Sequence, residues 1–162
     1  MPRVTRAAAL ERYRELPLPD TTQEAWRFTD LKGFDPDAWG GQNGHVRCQA
    51  PDTSMLDIDV AGLAVVGEDG IEIEHMPEGV TFEPLTEHPL LGTLVGADGK
   101  FTAHNAANWE HGMLVRVPKG LVLEQPLYVR VTNSVEGGSL FWRLLVIPEP
   151  EKIGRASCRE RV

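Results

Sequence analysis

Residues 112–133 read GMLVRVPKGLVLEQPLYVRVTN. Short apolar, β-prone runs alternate with Pro- and Gly-bearing breaks at Pro118–Gly120 and Gln125–Pro126, and a third break follows at Val135–Gly138. The runs have the composition and length of strands. The breaks lack the Asn-Gly or Asp-Gly pair that closes a two-residue hairpin. Two architectures fit. The chain can bend between short strands and climb, each turn stacking on the last as in a β-helix, or it can fold into a small sandwich. The pattern alone leaves both open.

Working outward, Lys100–Trp109 (KFTAHNAANW) and SLFWRLLVIPEP from Ser139 complete this series of short strands. Upstream, LAVVGEDGIEIEH predicts two strands about a Glu-Asp-Gly turn, with Ile71 and Ile73 alternating against Glu72 and Glu74. MPEGVTFEP adds a short strand, and Leu90–Val95 a brief helix. Residues 35–52, rich in Gly, Asn, Asp and Pro, read as loop. At the N-terminus, residues 3–16 predict a helix with Val4, Ala7 and Leu10 on one face, stopped by Pro17. LPLPD is an extended connector. A second helix is predicted behind a capping box of Thr21 and Glu24, presenting Trp26 to the core. The expected organisation is a helical region over 1–34, a loop and small β-region over 35–99, and a strand-rich core over 100–152.

The last ten residues, IGRASCRERV (153–162), differ in kind. They carry Arg155, Arg159 and Arg161 against Glu160 and show no helix or strand period. Their codons can be written as a widely used sequencing adapter whose next in-frame codon is a stop. They are read as a non-native tail, which makes the chain a fragment of a longer one. Without them the formal charge of −8 becomes −10, and Cys48 stands alone. One cysteine forms no internal disulfide or Cys-based metal cage, and it fits the reducing cytoplasm. The acidic balance argues against nucleic-acid binding. No apolar run approaches the ~18 residues of a membrane span.

Candidate chemistry centres on His104, Glu110 and His111, with Trp109 between them. A helical zinc motif places two His at i and i+4. Here they stand seven apart, which on a helix is about 10.5 Å along the axis and too far for one metal. His45 and Cys48 lie three apart in the loop without a second ligand pair. No phosphate loop or nucleophile elbow accompanies any of these residues. No residue is therefore assigned to catalysis, cofactor or metal. The alternative is a stand-alone β-rich enzyme or sugar-binding module acting through His104, Glu110 and His111, with an exposed Trp109.

Two stretches carry a family resemblance. LPLPDTTQEAWRFTDL, with Glu24–Leu31 at its centre, resembles the start of the SufB/SufD family, scaffold subunits of the SUF iron–sulfur cluster assembly machinery, and is closer to SufD. KFTAHNAANWEHGMLVRVPKGLVLEQPLYV is similar to the beginning of that family's core, through Asn105, Ala107, Gly112, Val117–Gly120 and Pro126. The resemblance implies mixed α and β structure, mainly β: a short helical region leading into the beginning of a right-handed parallel β-helix. It implies a scaffold working with SufB and SufC, without catalysis of its own and with no cofactor in this fragment. The cluster is handled by the intact complex. The resemblance implies that the family's main SufB- and SufC-contacting regions, and most of its proposed sulfur-handling residues, lie beyond residue 152. A β-helix cut there exposes the strand LFWRLLVI, so self-association is also expected.

Overall fold

The computed structural model describes residues 4–38, 40–41, 59–67, 69–133 and 138–149. Within them the chain is mixed α and β, mainly strands, with helices α1 (Arg6–Glu15) and α2 (Lys100–Asn108). The strands are β1 (Gly40–Gly41), β2 (Gly62–Gly67), β3 (Gly70–His75), β4 (Thr81–Pro84), β5 (His111–Val117), β6 (Leu127–Val131), β7 (Gly138–Ser139) and β8 (Trp142–Pro148). They form two three-stranded sheets, ordered β3-β2-β6 and β4-β5-β8, and the two-stranded pair β1-β7.

Each sheet pairs an earlier strand with a later one in parallel: β2 with β6, β5 with β8, and β1 with β7. The two antiparallel pairs, β2 with β3 and β4 with β5, lie on the opposite sides of the central strands. A parallel neighbour requires a long crossover, which is why the breaks after β5 are not hairpin turns. At Pro118–Gly120 the Leu121 amide donates to the Pro118 carbonyl (3.4 Å), and Gly120 takes φ +84°, a left-handed conformation that only glycine adopts freely. The Lys119 amide then donates to a carboxylate oxygen of Glu149 (2.9 Å), tying this turn to the chain just beyond β8.

The central strands are buried on both faces. Met113 and Val115 of β5 join Ala64, Val80 and Phe82 in one apolar cluster. Leu114 turns to the other face and packs with Leu85, Trp109 and Leu145. All six residues of β2 are buried too. Strands covered on both faces read as nearly continuous apolar runs, and AVV and MLV do. A third cluster, Ala9, Tyr13, Ala97 and Ala103, locks α1 onto α2.

Several sequence expectations need correction. Helix α1 is shorter than 3–16, with Thr5 as its N-cap and its side chain accepting from the Ala8 amide (3.2 Å). Its buried residues are Ala9 and Tyr13, one turn apart, while Val4 and Ala7 are exposed. Tyr13 offers far more area to bury than either alanine, so it sets the face. The second helix is a single 3-10 turn, Glu24–Trp26, preceded by Gln23 with no side-chain cap. Asp20 takes the local donors instead, accepting from the amide and hydroxyl of Thr22 in an Asx turn. The Thr21–Glu24 capping box does not form. Trp26 is only half-buried, against Phe101 (ring centroids 5.4 Å apart).

Lys100–Asn108 is a helix, not a strand. Its three alanines favour helix, and Ala103 fits the close approach of α1. Leu90–Val95 forms successive turns rather than a helix, with Leu94 almost fully exposed. In β3, Ile71 packs on the core but Ile73 lies exposed, because the later half of that strand runs past the cluster. The loop residues His45 and Cys48, and the tail 153–162, lie outside the described residues.

Candidate functional site

The three residues singled out from sequence do not converge. His104 lies on α2, its ring stacked on Tyr13 (4.2 Å between centroids, 13° between planes) and set edge-on to Phe141 (4.7 Å). Glu110 is exposed at the junction of α2 and β5, its amide donating to the Phe141 carbonyl (3.4 Å). His111 opens β5 in register with Trp142 of β8. The described contacts of His104 involve neither Glu110 nor His111. Among the described residues no group of three or more His, Cys, Asp or Glu is placed to hold a metal ion.

What surrounds His104 is a polar and aromatic joint between the helices. The Tyr13 hydroxyl donates to Asp37 Oδ1 (2.6 Å). Burial and the neighbouring Asp37 carboxylate push that phenol well above its ordinary pKa, so it stays protonated. Lys100 Nζ donates to the Tyr13 carbonyl (2.8 Å) and lies 3.9 Å from the centre of its ring. Burial lowers the His104 pKa and Lys100 adds to the effect, while Asp37 opposes it. The imidazole is neutral at pH 7. Phenol, imidazole and ammonium are all engaged in holding α1 against α2.

The motif residues also prove to be joints. Asn105 spans two elements: its Nδ2 donates to the Trp142 carbonyl (3.2 Å), and its Oδ1 accepts from Arg143 Nε (2.8 Å). Gly112 is pressed against its neighbours; a Cβ there would lie 3.0 Å from Leu85 Cβ and 3.1 Å from Trp109 Cζ3. The Pro126 carbonyl accepts from the Ala61 amide (2.9 Å), starting the β2–β6 pairing.

Sequence reasoning missed a second constellation. An open cleft of about 510 Å³ lies between the start of α1, the 86–96 loop and β8. Trp109 is in its wall and only 8% exposed, not the free platform expected of a sugar site. Arg6 and Arg143 lie 5.7 and 5.4 Å from the Trp109 ring centroid. Arg6 Nη2 also donates to the Trp109 carbonyl (2.6 Å). Burial holds the Arg143 guanidinium below its ordinary pKa. Arg6 and Arg143 are 137 positions apart in the chain, and no spacing rule connects them.

Comparison with protein-family models, with curated proteins and with solved structures finds no match. The SufB/SufD resemblance thus rests on the motifs themselves.

Proposed function

We propose that residues 1–152 are the opening part of a SufD-like scaffold subunit of the SUF iron–sulfur cluster assembly complex, working with SufB and SufC through its surfaces and without catalysis of its own. The observation that carries this reading is the path from β5 to β8. The chain leaves β5, adds β6 beside β2 and β7 beside β1, then returns as β8 beside β5, parallel to it and 31 positions on. A chain that visits three sheets in turn and comes back one strand over takes the kind of route a β-helix coil would require, which supports the reading. The motif positions support the same reading, because Asn105, Gly112, Gly120 and Pro126 sit at the joints of that path.

The test uses the gene read from its locus past codon 152 to its natural stop, co-expressed with SufB and SufC. The expected result is an open frame encoding further short strands and a product that co-purifies with both partners. A native stop near codon 152, or a product that elutes alone while SufB and SufC associate, refutes the proposal.

A further inference from the structure

The cleft beside Trp109 has a use that a scaffold does not require. Each of its two guanidiniums is anchored through one nitrogen, Arg6 Nη2 on the Trp109 carbonyl and Arg143 Nε on Asn105 Oδ1. The anchors fix where the remaining donors sit. Neither arginine pairs with a carboxylate among the described residues, although the chain has 24 acidic residues to 16 basic. The lining also includes Glu87, a carboxylate already engaged, so the two guanidiniums share the cleft with one acid. Val4, Leu91 and Val95 give the lining of the cleft an apolar share. Its volume of about 510 Å³ falls in the range of small-molecule sites.

We propose that this cleft binds a small organic anion, its charged group held by Arg6 and Arg143 and its apolar body lying along Val4, Leu91 and Val95. Two orientated guanidiniums recognise a planar or tetrahedral oxyanion through paired N–H donors, which a single surface lysine cannot do. The Trp109 ring keeps both side chains in place before the ligand arrives, so little freedom is lost on binding. The apolar share of the lining sets the preference for an organic anion over a bare one. The inference stands independently of the scaffold reading.

The test is an NMR titration of the 15N-labelled 162-residue chain with phenylacetate, following the Trp109 indole N–H and the Arg143 Nε–H. Saturable shifts of both are expected. Acetate, lacking the apolar body, and phenylacetamide, lacking the charge, should each bind about tenfold more weakly or worse. Arg6→Gln, at an exposed position, should weaken phenylacetate about tenfold. Arg116→Gln, remote and paired with Glu83, should leave it unchanged. Shifts that do not saturate, equal binding of phenylacetamide or acetate, or full affinity in Arg6→Gln would overturn the proposal. Arg6→Gln also removes the bond to the Trp109 carbonyl, so Arg6→Lys, which keeps a charged donor there but not the paired N–H geometry, is titrated beside it. Unchanged amide shifts away from the cleft show that the fold is kept; full affinity in both variants overturns the proposal.

Discussion

Replacing Asn105 by alanine removes the side chain that fastens α2 to β8. Two hydrogen bonds go. The amide bond to the Trp142 carbonyl is neutral, worth about 0.5–1.5 kcal/mol net, and the bond from the Arg143 guanidinium is charge-assisted, worth about 1.5–3 kcal/mol. Alanine recovers part of this through its better helix propensity, by roughly 0.5 kcal/mol. The balance is a loss of about 1.5–4 kcal/mol, and it leaves the half-buried Arg143 Nε without the acceptor that satisfied it. Urea unfolding followed by tryptophan fluorescence and far-ultraviolet circular dichroism should show a lower midpoint at unchanged slope. For a chain of this size the thermal midpoint should fall by about 3–16 °C. Asn105→Asp should land between the two. It keeps an acceptor for Arg143 but loses the donor to Trp142 and sets a carboxylate oxygen against that carbonyl. A cycle with Arg143→Met should give a coupling of about 1 kcal/mol or more. A loss below about 0.5 kcal/mol, or no coupling, would refute the assignment of Asn105 as a tie between helix and strand.

Gly112→Ala should destabilise by about 1–3 kcal/mol, measured by the same unfolding, since the new Cβ meets Leu85 and Trp109 at 3.0–3.1 Å and this overpacking outweighs the usual gain of replacing a strand glycine. Stability should decline as pH falls below about 6.5, the ordinary histidine value, towards the lowered value that His104 has in the fold, because the fold prefers the neutral ring. His104→Phe keeps an aromatic ring in the stack and should flatten that part of the pH profile; unfolding at pH 7.5 and pH 5 reads the difference. Thr5→Ala should cost about 1 kcal/mol as the loss of a true N-cap, whereas Thr21→Ala should stay within about 0.5 kcal/mol, and circular dichroism melts separate the two.

Strands were legible wherever apolar runs were short and bounded by Pro or Gly, and β2 to β6 fall where those runs lie. Their partners were not legible, because a parallel neighbour is chosen across the fold and leaves no local signature. KFTAHNAANW reads poorly as a helix because the residues that face α1 are alanines, too small to mark a face; the reason for that face is Tyr13 on a helix distant in sequence. The Thr21–Glu24 pattern was genuine as a pattern, but Asp20 one residue earlier competed for the same turn and won. The expected site had a local origin, three polar residues within eight positions, and the fold scattered them. The cleft arginines come from opposite ends of the chain and could be joined only by the tertiary structure.

The parallel pairings also set a schedule for folding. Gly62 waits for Leu127, and Gly112 for Arg143, so each central strand is made long before its parallel neighbour exists. At about 5–20 residues per second on the ribosome, β5 stands with one side open for roughly 2–6 seconds before β8 is synthesised. Until residue 127 is made, the local β2–β3 and the nearby β4–β5 are the described pairs that can form. High separation between partners slows closure further, since loop entropy must be overcome before the pairing returns anything. During synthesis the nascent chain is therefore a set of half-built sheets, and its exposure to other chains depends on how quickly residues 127–148 follow.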